Sequence, residues 1–140
     1  MQRVEITQDF PQPVEQVYAF LAEHENLGPL FGAKVVRKKD GDTSRNGTGS
    51  VRRLRLGPGP WFEETVTEAV ENELIEYRIT QGSPLRGHRG VMRFSPTPGG
   101  SRLHYVIEFA AVVPGLAWVV KHGLTLTITR ALRKHAASAV

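Results

Sequence analysis

The stretch WFEETVTEAVENELIEYRI, residues 61–79, limits the possible folds more than any other part of the chain. It holds six glutamates and no basic residue before Arg78. Read as a helix, it places Phe62, Val66 and Ala69 on one face. Val70, Leu74 and Ile75 do not extend that stripe, and Tyr77 and Ile79 fall off it. Read as strands, Phe62, Glu64, Val66 and Glu68 share one face. After Glu71-Asn72-Glu73, the residues Ile75, Tyr77 and Ile79 alternate with Glu76 and Arg78, a strict period of two. Thr65, Val66, Thr67, Ile75, Tyr77 and Ile79 are strand formers, and Asn72 suits a turn. The stretch therefore reads as a β-hairpin, and the fold as one built round an antiparallel sheet.

The flanking sequence extends that pattern. Residues 3–8 alternate as a strand. Val14, Val17, Tyr18 and Leu21 recur at helical spacing, Pro13 suits the first turn, and Gly28-Pro29 reads as a stop. A helix is thus expected over about 13–23, followed by a short irregular or helical turn. Strands are expected over 33–39 and 50–56, joined by the turn-rich DGDTSRNGTG. GPGP at 57–60 is a connection, since it suits neither helix nor central strand. QGSPLRG reads as a loop, HRGVMRF as a strand, SPTPGGS as a turn and RLHYVIEFAAV as a strand. After Pro114-Gly115, Leu116, Val120, Leu124, Ile128 and Ala131 mark a long helix to about 137, with a kink expected near Gly123.

The 140 residues suit one domain over 1–140. No apolar run approaches the roughly 20 residues that span a bilayer, and the N-terminus lacks a secretory apolar segment. A cytoplasmic location is expected, with no integral membrane contact. The absence of cysteine excludes disulfides, thiol catalysis and thiolate metal sites. The five histidines show no ligand spacing, and neither a nucleophile elbow nor a phosphate-binding glycine motif occurs. No metal or organic cofactor is expected. The net charge of +4 raises the question of nucleic acid. However, the basic run from Lys34 to Arg55 precedes the glutamate-rich hairpin, so neighbouring strands would cancel much of the field. The basic run also lacks interleaved aromatics, and nucleic acid is not an expected partner.

The ordered series PVEQVYAFLAEHENLGPLF, GTGSVRRL, FEETVTEAVENELIEYRI, RGHRGVMRFSPTPGGSRLHYVIEF and the terminal helix resembles the START-like superfamily. These are also described as SRPBCC, or polyketide cyclase/dehydrase and lipid-transport proteins. The resemblance covers nearly the whole chain and implies an α+β helix-grip fold. In it, a curved antiparallel sheet of about six to seven strands wraps round a long C-terminal helix. It also implies an elongated cavity between sheet and helix. A second likeness is to the plant abscisic acid receptors of the superfamily. It implies a gate at Pro58-Gly59-Pro60, a latch at Leu85-Arg86-Gly87, and Glu64 and His88 facing the cavity. The gate lacks that family's serine and leucine, so portal geometry is implied and hormone recognition is not.

Glu64 is the sharpest polar candidate. Parity places it beside Phe62 and Val66, and a buried carboxylate needs a proton, water, an arginine or a ligand. It would serve as a proton acceptor in aldol-type cyclisation or dehydration. Alternatively a bulge turns it outward, or Arg52 or Arg53 pairs with it. His88 is either an acid/base or ligand donor, or simply packed or exposed. Arg52 and Arg53 alternate, so only one points inward, where it could meet an acidic ligand group. Phe62, Val66, Tyr77, Met92 and Tyr105 are expected on ligand-lining faces, the tyrosine hydroxyls needing partners. Trp118 would cap a pocket, enter a homodimer contact or face a membrane. Gly123 would leave room for a ligand or let a strand approach. The basic residues of the last helix are available to an anionic surface, although packing explains its apolar face. Binding of a hydrophobic or aromatic small molecule leads, with a polyketide cyclase/dehydratase using Glu64 and His88 as the alternative. A protein–protein or membrane-surface module is a third reading.

Overall fold

The hairpin of residues 62–79 is the hinge of the architecture. A computed structural model describes residues 1–138. In chain order the elements are β1 (Gln2–Phe10), α1 (Val14–Ala22), α2 (His24–Phe31), β2 (Lys34–Lys39), β3 (Val51–Arg55) and β4 (Phe62–Val70). They are followed by β5 (Leu74–Gln81), β6 (Leu85–Thr97), β7 (Gly100–Ala111) and α3 (Leu116–Ser138). Asn72 turns the β4–β5 hairpin at φ 65°, a left-handed conformation that asparagine tolerates better than most residues.

All seven strands form one antiparallel sheet in the order β1-β7-β6-β5-β4-β3-β2. Bulges interrupt the ladders at Arg37/Lys39, Glu63/Glu64, Val66/Glu68 and Arg86/Arg89. Bulges increase local twist and bend strands, so the sheet curls round the apolar face of α3. This is the α+β helix-grip arrangement.

The core follows strand parity. Ile75 and Tyr77 of β5, Met92 and Phe94 of β6, and Leu103, Tyr105, Ile107 and Phe109 of β7 are buried on the concave face. Against them pack Val14, Val17 and Leu21 of α1, and Ile128, Leu132 and Ala136 of α3.

Three details depart from the sequence reading. The chain does not stop at Gly28-Pro29, because α2 continues through Pro29 to Phe31 and ends at Gly32, at φ 68°. Pro29 removes only one helical N–H, and Gly28 lies so close to β2 that an added Cβ would stand 3.0 Å from the Ala33 carbonyl oxygen. Glu68 does not share the face of Phe62 and Val66. The bulge after Val66 exchanges the faces, exposing Glu68 and packing Ala69 on the core. Leu85-Arg86-Gly87 are not loop but the start of β6, Leu85 facing Ala111 and Arg86 facing Ala110. The expected long helix is present as α3, which runs unbroken from Leu116 to Ser138 through Gly123. Thr125 there donates its hydroxyl to the Lys121 carbonyl at 2.7 Å.

Candidate functional site

The two halves of α3 meet the sheet differently. Its fully buried residues all lie at or beyond Ile128. Before that point Ala117, Val120 and Leu124 are only partly buried against the core, and the helix borders a hollow. The cavity measures about 450 Å³. Val120, Gly123, Leu124 and Thr127 of α3 line it on the helix side, and Leu27 and Phe31 of α2 line it on another. Leu54 and Leu56 bound it near the β3–β4 connection. The concave sheet supplies Phe62, Ile79, Leu85, Met92 and Ile107, so the walls are predominantly apolar.

Within those walls lies a contiguous polar cluster. Arg52 and Glu64 are direct cross-strand partners on β3 and β4. Parity sends both inward, and they are only 5% and 8% exposed. Arg52 Nε donates to Glu64 Oε1 at 2.9 Å, and Nη2 lies 2.8 Å from the same oxygen in an ion pair. The Arg52 guanidinium lies 4.9 Å from the centre of the Tyr77 ring, a cation–π distance. The Tyr77 hydroxyl is hydrogen-bonded to that of Tyr105. Gly90 makes room for this arrangement, because a Cβ there would run into the Tyr77 ring. Burial raises both tyrosine hydroxyls well above the usual phenol range, so both stay protonated at neutral pH.

His88 completes the cluster, its ring 5.5 Å from that of Tyr77. The Ile79 backbone N–H donates to His88 Nδ1 at 3.1 Å. Burial lowers the imidazole below the usual histidine range, only partly opposed by the nearby Glu64. The ring is therefore neutral at neutral pH, with its proton on Nε2. Among the described residues, Glu64 Oε2, Arg52 Nη1 and His88 Nε2 have no hydrogen-bond partner in the protein. The tyrosine pair uses one of its two protons internally and retains one to donate.

The residues around the cluster fix which side chains enter it. Arg53, of opposite parity, points outward with Glu63, which also binds Lys38 at 2.9 Å. The bulge at Glu63/Glu64 does not turn Glu64 outward. Behind Arg52, His24 opens α2 and is fully buried, its Nε2 lying 3.3 Å from Ser50 Oγ. Ser50 Oγ donates to the Gly47 carbonyl, so it accepts from His24. His24 Nδ1 lacks a partner among the described residues. Burial, reinforced by Arg52, lowers His24 to about 3. Arg37 and Arg45 bind Glu23 and Glu25, tying the 40–49 loop to α2.

Of the residues singled out from sequence, Arg52, Phe62, Glu64, Tyr77, His88, Met92, Tyr105 and Gly123 line this one space. Val66 does not; it is buried in the core beside the cavity. Trp118 does not cap it. Its side chain is 58% exposed and lies against His122 on the outer face of α3. Pro58-Gly59-Pro60 are not wall residues either. Leu56 and Gly57 take that place, while Arg55 Nε donates to the Gly59 carbonyl at 2.9 Å. The sequence reading missed Leu54, which shares Arg52's parity, and Leu27 and Phe31, which flank the apparent stop at Gly28-Pro29. Among the described residues, no group of three His, Asp or Glu is placed to hold a metal ion, and no helix is long and apolar enough to cross a membrane.

Comparison with known proteins places this geometry. Ms6760 from Mycobacterium smegmatis is 20% identical and superposes with a TM-score of 0.70, over 96% of this chain and 88% of that one. XoxI from Bacillus cereus is 16% identical with a TM-score of 0.73, over 99% and 97%. The Aha1 dimer from Colwellia psychrerythraea is 13% identical with a TM-score of 0.70, over 97% and 94%. At these identities the likeness is one of fold alone. No curated protein matches the sequence. A family model does, over residues 1–139, and the chain belongs to the family described as polyketide cyclase/dehydrase and lipid transport.

Proposed function

We propose that the chain binds a hydrophobic or aromatic small molecule, lipid- or polyketide-like, in the hollow between the sheet and α3. The observation that carries this reading is the cavity of about 450 Å³, apolar in its walls and polar at one cluster. That volume lies within the range of small-molecule pockets, roughly 300–1,000 Å³. An apolar body would gain from leaving water, and the cluster would fix its orientation.

Native mass spectrometry of the purified protein, followed by denaturing extraction, tests the reading. A stoichiometric apolar passenger is expected from wild type and not from Gly123→Leu. Gly123 lines the cavity and nothing lies within 4 Å of a Cβ there, so a leucine meets no clash at Cβ and adds bulk at the cavity wall. A protein that carries nothing, and takes up no neutral aromatic compound when offered one, overturns the proposal.

A second reading is a cyclase or dehydratase. Glu64 Oε2, His88 Nε2 and the tyrosine pair border the same space, so a proton acceptor and proton donors would meet one substrate. Its mark is a Glu64→Gln protein that still binds substrate but has lost turnover.

A further inference from the structure

The polar cluster also limits which apolar molecules fit. Its one cation, Arg52, is already matched by Glu64, and both close contacts of that match end on a single carboxylate oxygen. The groups left for a ligand are the carboxylate acceptor Glu64 Oε2, the weaker acceptor oxygens of the tyrosine pair, and three donors. The donors are Arg52 Nη1, His88 Nε2–H and the remaining tyrosine proton. An incoming carboxylate or phosphate would leave one guanidinium between two anions in an apolar hollow. Uncompensated charge in such surroundings is costly. An ether or simple ketone would satisfy the donors but leave Glu64 Oε2 bare, and an unmet buried acceptor is also costly. A neutral hydroxyl, which donates and accepts at one atom, meets both demands. The chain's +4 net charge does not reverse this, because exposed charges are screened by salt and act over the surface.

We propose that the cavity selects uncharged ligands bearing a phenol, enol or alcohol hydroxyl, and rejects carboxylates and phosphates of the same shape. The hydroxyl donates to Glu64 Oε2 and accepts from His88 Nε2 or the tyrosine pair. Glu64 is the specificity-determining residue. This inference rests on the reading of the hollow as a binding site.

Three naphthalenes of similar shape test it by calorimetric titration of the whole protein at neutral pH. Wild type is expected to bind 2-naphthol more tightly than 2-methoxynaphthalene and more tightly than 2-naphthoate. Each gap is about tenfold or more, the weight of one hydrogen bond to a charged group. Glu64→Gln leaves Arg52 without its anion, and 2-naphthoate should then overtake 2-naphthol. If that variant does not fold, the wild-type series decides alone. Equal or tighter binding of 2-naphthoate by wild type overturns the selectivity and leaves the binding site standing. A folded Glu64→Gln protein that keeps the wild-type order removes Glu64 from its role. Failure of all three naphthalenes to bind overturns the binding site and this inference together.

Discussion

One end of the sheet is filled and the other is hollow. At the filled end, Phe10 of β1, Leu21 of α1, Phe94 of β6, Leu103 of β7 and Leu132 of α3 are all buried in the core. Phe20 stacks on His135 at 4.0 Å, closing that end with a ring from each helix. At the hollow end, residues of β3, β4 and β5 and the first half of α3 border the cavity, and that half of the helix is only partly buried. The same helix therefore does two jobs. Its C-terminal half stabilises the fold by burial, and its N-terminal half walls a space. The contrast teaches that stability and binding are separable along α3, and that substitutions should sort by which half they touch.

The sharpest way to break the contrast is a matched pair of truncations. Leu132→Ala should cost about 3–5 kcal/mol, as full burial leaves a new cavity. Leu124→Ala, which only widens existing space, should cost about 1 kcal/mol. Urea denaturation measures both, and equal losses would mean that the helix packs alike along its length. Arg52→Met comes next, at about 3 kcal/mol, because Glu64 would keep a buried charge with no partner. Adding Glu64→Leu to that variant should recover most of the loss, since an apolar pair needs no matching charge.

The sequence carries the filled end better than the hollow one, for physical reasons. The β4–β5 hairpin is legible because strict alternation in 74–79 fits no helix, and Asn72 marks its turn. The inward parity of Tyr77, Met92 and Tyr105 is legible in the same way. Glu68 is misread because a bulge reverses parity, and no composition signal at Val66-Thr67 announces one. The choice between Arg52 and Arg53 requires the β3–β4 register, which pairing fixes and local sequence does not. Pro29 is misread because propensity there yields to the packing of Gly28 on β2. For Trp118 the sequence left a pocket cap and an outward contact equally open, because spacing alone does not orient it; Trp118, Val119 and Leu126 face out. The cavity itself is a difference between sheet curvature and side-chain volume, and no single residue encodes it.

Acidification sharpens the comparison further, because the buried neutral His24 sits at the hollow end. Its native value is lowered to about 3, so between the ordinary histidine range and that value the unfolded state binds the extra proton. Stability is full above the ordinary histidine range and falls as pH drops. The slope approaches about 1.4 kcal/mol per pH unit, or about 2 kcal/mol by roughly pH 5. Thermal unfolding across that range should show the slope in wild type and a shallower one in His24→Gln. Identical slopes would remove His24 from the account. Gly123→Leu should raise stability by about 0.5–1 kcal/mol through helix propensity while abolishing uptake, which calorimetry and titration check separately. Trp118→Ala, on the outer face, should stay within about 0.5 kcal/mol of wild type and leave uptake unchanged.

Methyl NMR during titration with 2-naphthol tests the central claim most directly, because it reads both ends of the sheet at once. The account predicts shifts at Ile79, Met92, Ile107 and Leu124, which wall the cavity, and none at Leu21, Leu103 and Leu132. The absence of any shift, or shifts centred on the packed leucines or on the outer face at Val119 and Leu126, would contradict it.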